Sequence, residues 1–253
     1  MPLDALLDLD QKTVIVALDH GLIDGPVAGL VDLPATIAQV KTGGADAVLV
    51  SYGVARRFRA ELEGFAVIVR IDGAVPGEGS VGRLFFSPDQ AAEVGAKGVA
   101  VSAFPRSPLA GPSLEALASA VGQAAKTRLA VVAEMVPGGF DSPANMRSVE
   151  TLAEGARIGA ELGADLIKTH FCVGFEAVVA STFAPIVILG GSKRGQESEM
   201  LGEVAAAVTA GAVGVAIGRN VFQSAHPAGT TAALSAIVHR GASAEEAAKL
   251  LAV

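Results

Sequence analysis

Short runs of apolar, mostly β-branched residues recur eight times along this chain, and segments with helical periodicity separate them. The runs cover residues 13–19, 46–51, 65–71, 98–104, 129–136, 165–170, 185–189 and 214–218. Several are almost continuously apolar, which is typical of parallel strands covered on both faces. Alternating strands and helices form either a closed barrel or an open doubly wound sheet. The strand number and the length of 253 residues favour an α/β fold, a single (β/α)8 TIM barrel domain over residues 1–253.

Helical patterns and glycine steps organise the segments between the strands. The helical patterns cover residues 113–126, 148–162, 197–210 and 230–239. For the second of them we predict an N-cap at Ser148 and a stop at Gly163. A Gly-Ala step, followed by Asp or Val, precedes three strands and begins at Gly44, Gly163 and Gly211. We interpret it as a helix C-cap that leads into a strand, with no chemical role. Residues 73–82, 142–146 and 191–196 are predicted to be loops that follow strands.

Charge and composition exclude several classes of partner. A net charge of -7 disfavours nucleic acid, because binding to a phosphate backbone needs clustered Lys and Arg. Gly or charged residues interrupt the apolar runs before they reach roughly 18 residues, the length of a membrane-spanning helix. Residues 1–4 do not resemble a signal peptide, and Cys172, the single cysteine, has no intramolecular disulfide partner. We therefore expect a soluble cytoplasmic protein that binds neither membranes nor nucleic acid.

Lys168 is the strongest catalytic candidate because it interrupts an otherwise apolar strand. Chemistry in a TIM barrel takes place at the carboxyl ends of the strands, where this lysine is expected. Burial of an ammonium group is costly, and desolvation lowers the pKa of a lysine. The resulting neutral amine can attack a carbonyl carbon. A lysine that reaches solvent from a strand end, or pairs with an acid, is the alternative, and strand position alone does not decide between them.

Asp19 ends the first predicted strand and is followed by His20 and Gly21. A carboxylate that faces the barrel mouth from this position can hold or relay a proton for Lys168. The alternative is a carboxylate that only caps the next loop, which for Asp19 taken alone is the more common situation. For His20 we expect hydrogen bonding within the loop. The His, Asp and Cys residues show no spacing typical of metal ligands, so we predict no metal site.

Glycine-containing segments follow the last two predicted strands. Gly191, Ser192 and Lys193 come after the seventh strand, and Gly218 and Arg219 come after the eighth. In many barrels these two loops bind phosphate. Glycines let backbone N–H groups approach the phosphate oxygens, and an arginine adds a charged fork of donors. The alternative is a pair of tight turns with a solvated arginine.

Taken in order, these motifs resemble the archaeal-type class I fructose-bisphosphate aldolase family. The matching stretches are Asp19-His20-Gly21, Gly25-Pro26, Gly29-Leu30, Lys168-Thr169, Gly190-Gly191-Ser192-Lys193 and Gly218-Arg219-Asn220-Val221-Phe222-Gln223. The family also includes relatives that act in aminodideoxyheptulosonate synthesis and in thiolytic cleavage of phosphorylated diketones. The resemblance implies a TIM barrel, a homo-oligomer, a Schiff base on Lys168 and an acid/base role for Asp19. It also implies a substrate phosphate site formed by Gly191, Ser192, Gly218 and Arg219.

The chain departs from the aldolases of this family at the fifth predicted strand. Those aldolases have an aromatic pattern that ends in Tyr-Pro-Arg-Gly, and the tyrosine transfers protons. Here Val136 takes the position of the tyrosine and Gly138 that of the arginine. The thiolase-type relatives also lack this tyrosine. We therefore expect low activity on fructose 1,6-bisphosphate and higher activity on another phosphorylated ketose or diketone.

Three ionisable side chains are candidates to replace the missing tyrosine. Asp19 ranks first because it matches the family. Glu134 lies two residues before Val136 and shares its face of the strand, and it ranks second because the family has an aromatic residue there. His170 ranks third, since a histidine at a strand end more often anchors a loop. Arg70 and Asp72, at the end of the third predicted strand, are further candidates to shape the pocket, although an ion pair between them is the more common situation.

The function predicted from these residues is that of a class I aldolase, which makes or breaks a C–C bond in a phosphorylated ketose or a related carbonyl compound. The iminium on Lys168 carries the chemistry, so we expect neither a cofactor nor a metal. The first alternative is a transaldolase-type or thiolase-type transferase of the same family. A phosphosugar isomerase that uses Lys168 only for its charge, and a sugar-phosphate sensor without catalytic activity, are further alternatives.

Overall fold

Parallel strands close into a barrel in the computed structural model, which describes residues 2–75, 79–191 and 197–252. In chain order, the strands of these residues are β1 (Thr13–Ala17), β2 (Ala47–Ser51), β3 (Ala66–Arg70), β4 (Asp72–Val75), β5 (Gly79–Leu84), β6 (Gly98–Ala103), β7 (Ala130–Met135), β8 (Leu166–Thr169), β9 (Ile186–Leu189) and β10 (Gly214–Ile217). Around the closed barrel the order is β1-β10-β9-β8-β7-β6-β3-β2. The predicted (β/α)8 TIM barrel is confirmed, and each predicted strand ends within two residues of its observed bounds.

Helices connect the strands and cover the outside of the barrel. They are α1 (Gly21–Asp24), α2 (Leu33–Thr42), α3 (Tyr52–Arg57), α4 (Pro88–Glu93), α5 (Ala110–Thr127), α6 (Val149–Glu161), α7 (Phe175–Ala180), α8 (Glu197–Thr209), α9 (Arg219–Phe222), α10 (Pro227–Arg240) and α11 (Ala244–Ala248). The four predicted helices correspond to α5, α6, α8 and α10, and Ser148 caps α6 as predicted. The shortest helices offer too few turns for a periodic signal. Within the described ranges, no helix is both long and apolar enough to cross a bilayer.

The segment predicted as a loop at residues 73–82 contains an antiparallel hairpin. Strands β4 and β5 pair with Asp72 opposite Leu84 and Val75 opposite Gly79. The ring of Phe85 lies over Gly73, where a Cβ would be 2.3 Å from it. The abundance of glycine hides the alternation by which a strand is normally recognised. The hairpin belongs to the connection that follows β3, so it lies on the side of the barrel where the strands end.

A layer of mostly small apolar side chains fills the interior of the barrel. These side chains alternate along each strand with others that face the helices, as the two-residue period of a strand requires. They are Ile15, Ala17, Ala47, Leu49, Ile68, Ala100, Ala130, Val132, Leu166, Val187 and Ala216, together with Leu6. Leu6 packs against Gly98 at the amino ends of the strands and closes that end of the interior. The other end is the barrel mouth, formed by the carboxyl ends of the strands and the connections that follow them.

The Gly-Ala steps join helices to strands, as their recurrence predicts. Gly44, Gly163 and Gly211 have φ values of 82°, 95° and 105°, a left-handed conformation that suits glycine at a helix end. The aspartates of the first two steps add a second contact. Asp46 Oδ2 accepts a hydrogen bond from the N–H of Val14 at 2.6 Å, and Asp165 Oδ2 accepts one from Val131 at 2.8 Å. These carboxylates therefore hold neighbouring strands together at their amino ends.

His239 links helix α10 to this end of the barrel. Its Nε2 lies 3.0 Å from Asp46 Oδ2, and its Nδ1 lies 2.9 Å from Asp10 Oδ2. The hydrogen bond with Asp46 outweighs partial burial and, together with Asp10, raises the pKa of His239 to about 9. The imidazolium is hydrogen-bonded at both ring nitrogens. It therefore connects the last turn of α10 to Asp10, which precedes β1, and to Asp46, which precedes β2.

We expect this link to make stability depend on pH. An unfolded histidine has a pKa of about 6.5, so the contribution of His239 is complete below that pH. It is lost as the pH rises through the folded value of about 9. Urea unfolding of the wild type and of His239→Gln should give a difference in unfolding free energy that shrinks over this interval. His226→Gln, which alters an exposed histidine, is the control. A difference that is constant with pH would contradict the assignment.

Candidate active site

The next inward position above the apolar layer holds a buried polar side chain on five sides of the barrel. Counting two residues onward gives Asp19 after β1, Arg70 on β3, Ser102 on β6, Glu134 on β7 and Lys168 on β8. None of these residues is more than 5% exposed. Because burial of an unpaired charge is costly, their contacts with one another decide how the site is built.

Lys168 and Glu134 lie side by side because β7 and β8 pair in a register that places them opposite each other. Lys168 Nζ is 2.6 Å from Glu134 Oε1. The sequence leaves open a catalytic amine, a lysine that reaches solvent and a lysine that pairs with an acid, and the structure has the lysine buried and paired with an acid. The pairing takes place inside the barrel and not at its surface. Lys168 therefore has a proton acceptor at hydrogen-bond distance.

Arg70 joins the other polar groups of the site. Its Nε lies 2.5 Å from Asp19 Oδ2, and its Nη2 lies 2.5 Å from Glu134 Oε2. Its Nη1 donates to Ser102 Oγ at 2.6 Å and to Asp72 Oδ1 at 3.1 Å. The ion pair predicted between Arg70 and Asp72 is confirmed. Arg70 also binds the two other carboxylates, so it lies at the centre of the site.

These charges shift the pKa values of the three carboxyl groups in different directions. Burial raises the pKa of Asp19, but the charge of Arg70 outweighs burial and holds that pKa well below its usual range. Burial also opposes ionisation of Glu134, whereas the charges of Lys168 and Arg70 lower its pKa to about 2. For Asp72 the effect of burial dominates, and its pKa is raised in spite of Arg70. Asp19 and Glu134 are therefore carboxylates at neutral pH.

His20 connects this group of charges to the end of β10. Its Nδ1 lies 3.5 Å from Asp19 Oδ1, and its ring meets Phe222 edge-on with centroids 5.1 Å apart. A Cβ at Gly218 would lie 2.5 Å from His20 Cε1, so only glycine fits there. The imidazole therefore fills the space between Asp19 and the segment predicted to bind phosphate.

The structure brings the two predicted phosphate-binding segments together. Asn220 Nδ2 donates to the carbonyl of Gly190 at 2.9 Å, which joins the connection after β9 to helix α9. Gly191 has a φ of 62°, and Gly218 is the N-cap residue of α9. Arg219 is partly exposed, and its buried Nε has no hydrogen-bond partner among the described residues. Within the described part of the chain, the Nε of Arg219 is therefore a hydrogen-bond donor without a protein partner at the barrel mouth, as an anion site requires.

The remaining sequence candidates fall into two groups. His170 is buried, at 9% exposure, and follows β8 two residues beyond Lys168. Ser192 and Lys193 lie outside the described residues.

Two contributors to the site were underestimated from the sequence. Ser102 was not singled out, although it lies two residues after Ala100 on the inward face of β6. Arg70 is a charged residue on an otherwise apolar strand, as Lys168 is, yet an ion pair with Asp72 was preferred for it over a role in the pocket. Strand alternation, applied to every strand and not only to the ones with a family match, is the signal that identifies both.

Three potential metal ligands come together elsewhere, at the amino ends of the strands. Ligand atoms of Asp8, Asp10 and His239 lie within 4.8 Å of one another. Both ring nitrogens of His239 are engaged, however, by Asp10 and Asp46. The group therefore acts as the link between α10 and the barrel that is described above.

Comparison with known proteins places this site in a family. The model of the DeoC/LacD family aldolases matches residues 13–224. A 2-amino-3,7-dideoxy-D-threo-hept-6-ulosonate synthase of Halobacterium salinarum is 32% identical over 95% of this chain and 92% of its own length. A 3-hydroxy-5-phosphonooxypentane-2,4-dione thiolase of Escherichia coli K12 is 34% identical over 94% of this chain and 81% of its own length.

Solved structures agree with the sequence relatives. A Schiff-base-forming fructose-1,6-bisphosphate aldolase has a TM-score of 0.83 and 27% identity, over 94% of this chain and 100% of its own. An archaeal fructose-1,6-bisphosphate aldolase, whose catalytic lysine is covalently bound to the carbinolamine intermediate of the substrate, has a TM-score of 0.81 and 26% identity. It covers 94% of this chain and 99% of its own. This chain is an enzyme that makes or breaks carbon–carbon bonds, and it belongs to the DeoC/LacD aldolase family.

Proposed function

We propose that this enzyme is a class I aldolase that forms a Schiff base through Lys168 with a phosphorylated ketose or a related phosphorylated carbonyl compound. One observation carries the proposal. A buried lysine at the barrel mouth has its Nζ 2.6 Å from a buried carboxylate, Glu134. The lysine of a solved relative that holds a carbinolamine supports the same chemistry in this fold.

The first step is a proton transfer within the ion pair. Lys168 passes a proton to Glu134 Oε1, which leaves a free amine and a neutral carboxylic acid. The charge of Lys168 is one of the two that lower the pKa of Glu134, and this effect ends when the proton leaves. Both carboxylates are bound by Arg70, which keeps its charge throughout, but Glu134 is the one that is paired with Lys168. Glu134 is therefore the better proton acceptor of the two carboxylates.

The amine then adds to the carbonyl carbon of the substrate and forms a carbinolamine. Glu134 returns its proton to the carbinolamine hydroxyl, which leaves as water, and an iminium remains on Lys168. An ammonium, a carboxylate and a ketone have become an iminium, the same carboxylate and water. Because the iminium carries the charge that the ammonium had, it can form the same ion pair with Glu134.

The iminium next draws electrons from the neighbouring C–C bond. As that bond breaks, its electron pair moves toward nitrogen and leaves an enamine, and the departing fragment gives up its hydroxyl proton. We assign Asp19 to this second proton, with His170 as the further candidate. Protonation of the enamine carbon and hydrolysis of the iminium then release the product and restore Lys168.

The substrate phosphate is proposed to lie between the ends of β9 and β10. Gly191, Ser192 and Gly218 supply backbone N–H groups, and Arg219 supplies its guanidinium. The support among the described residues is the bond from Asn220 to Gly190 and the buried, unpartnered Nε of Arg219.

We extend the proposal to the protein as a whole. Residues 1–253 form one domain, and the enzyme is a cytoplasmic homo-oligomer, as the family resemblance implies. The net charge of -7 supports a small-molecule substrate and not nucleic acid as the partner.

A transferase is the second candidate, and the thiolase and synthase among the relatives favour it. In that case a second substrate, and not a proton or water, takes up the fragment held on Lys168. Cleavage measured with and without candidate acceptors separates the two reactions.

We expect the covalent adduct to form on Lys168. The protein is incubated with dihydroxyacetone phosphate, with fructose 1,6-bisphosphate and with other phosphorylated ketoses and diketones, reduced with borohydride, and digested for mass spectrometry. Lys168→Met should abolish the adduct and turnover without unfolding the protein, because Glu134 keeps its bond to Arg70. Lys249→Met, at an exposed lysine, is the matched control. An adduct on Lys193, or none with any of these compounds, would refute the proposal.

Glu134→Gln should slow formation of the adduct more than Asp19→Asn does. The amide retains the size of the side chain but cannot accept the proton of Lys168, and loss of such a group costs about 10²–10⁴-fold in rate. Glu245→Gln, at an exposed glutamate, should leave the rate unchanged. Rapid-quench measurement of borohydride-trapped protein gives these rates. A slower reaction in Asp19→Asn than in Glu134→Gln would reverse the assignment.

Arg219→Ala should weaken binding of phosphorylated substrates by about 2–4 kcal/mol, the cost of removing one partner of a buried charge pair. Analogues without phosphate should bind to Arg219→Ala almost as well as to the wild type. Calorimetry on both kinds of compound tests this difference, with Arg240→Ala, at an exposed arginine, as the control. Equal losses for both kinds of compound would remove Arg219 from the phosphate site.

A further inference from the structure

We propose that Arg70 is a positioning residue, which turns one oxygen of Glu134 toward Lys168 and connects this pair to Asp19. The inference rests on the proposed function, because it concerns the proton transfer between Lys168 and Glu134. Arg70 is 3% exposed, and it acts through its neighbours and not on the substrate.

The two oxygens of Glu134 are made different by what they bind. Oε2 accepts from Arg70 Nη2 at 2.5 Å and also lies 3.3 Å from Ser102 Oγ. Oε1 is left for Lys168 Nζ at 2.6 Å. A carboxylate fixed at one oxygen cannot rotate freely, so the other oxygen stays aimed at the amine. The proton therefore has a single acceptor atom to which it moves and from which it returns.

The planar guanidinium is suited to this task. Its three nitrogens bind Asp19, Glu134 and the pair formed by Ser102 and Asp72, so one side chain orients four groups. A lysine carries the same charge but no fork of fixed directions. Substitution of Arg70 by lysine would therefore preserve charge and lose orientation.

Arg70 also balances the charges that face it from every side. Asp19, Asp72 and Glu134 are its acidic neighbours, Lys168 is the other cation of the group, and His20 lies next to Asp19. When the proton of Lys168 has moved to Glu134, both of these groups are neutral. Arg70 then keeps its positive charge between the carboxylates of Asp19 and Asp72. Without it, Glu134 would hold a proton more tightly and return to the carboxylate only at higher pH.

Two substitutions at this position separate orientation from charge. The full-length protein is mixed with dihydroxyacetone phosphate, and the rate of the borohydride-trapped adduct at Lys168 is measured against concentration and pH. We expect Arg70→Lys to lower the maximal rate about 100-fold, the size of effect caused by a small misplacement of reacting groups. The half-saturating concentration should stay near that of the wild type. Arg70→Met should in addition move the acid limb of the pH profile to higher pH.

Controls make the test decisive. Arg157→Lys alters an exposed arginine that is paired with Glu161 on α6, and it should leave rate and profile unchanged. Ser102→Ala removes a neutral partner of Arg70 and Glu134, and it should lower the maximal rate without moving the acid limb. If Arg70→Met does not fold, Arg70→Lys, which preserves the charge, and Ser102→Ala, which alters a neutral residue, still decide the question.

The outcomes distinguish this inference from the function on which it rests. If the wild type forms no adduct with dihydroxyacetone phosphate, the proposed function fails for this compound and the inference fails with it. If the wild type forms the adduct and Arg70→Lys and Ser102→Ala form it at the same maximal rate, the Schiff base stands and the positioning role of Arg70 is refuted.

Discussion

A closed barrel accepts a charge in its interior only beside an opposite charge, and this requirement shapes the carboxyl end of the whole protein. Three carboxylates and two cations lie there, each no more than 5% exposed. They are Asp19, Asp72, Glu134, Arg70 and Lys168. Such a group can be buried because strand alternation turns Asp19, Arg70, Glu134 and Lys168 inward at one level, while Asp72 reaches Arg70 from β4.

The small residues beneath this group leave room for it. Alanines occupy inward positions such as Ala17, Ala47 and Ala100, directly below the polar side chains or beside them. Arg70 on β3 can therefore reach past β2 to Asp19 and past β6 to Glu134, two strands away in each direction. Larger inward residues at this depth would compete with the guanidinium for space. The contacts among the charged side chains at the barrel mouth therefore depend on the small size of the apolar side chains below them.

The sequence predicts what depends on local pattern. Continuous apolar runs reveal the strands, and alternation within a run places Glu134 on the same face as Val136 and His170 on the same face as Lys168. The contact between Arg70 and Glu134 is different, because it joins residues 64 positions apart and depends on barrel closure and side-chain rotamers. The family resemblance gave Asp19 the first rank as proton carrier, whereas Glu134 is the carboxylate paired with Lys168. The hairpin formed by β4 and β5 was missed because glycine obscures alternation.

The pairing of β1 with β10 has a consequence for how the molecule is made. Thr13 lies opposite Gly214, so the two partners are about 200 residues apart along the chain. During synthesis the first strand emerges long before the last, and its unpaired edge must wait for nearly the whole polypeptide. Contacts so distant in sequence are slow to form. Until about 200 further residues have emerged, the edge of β1 that faces β10 lacks its partner strand, and such an edge is open to pairing with another chain.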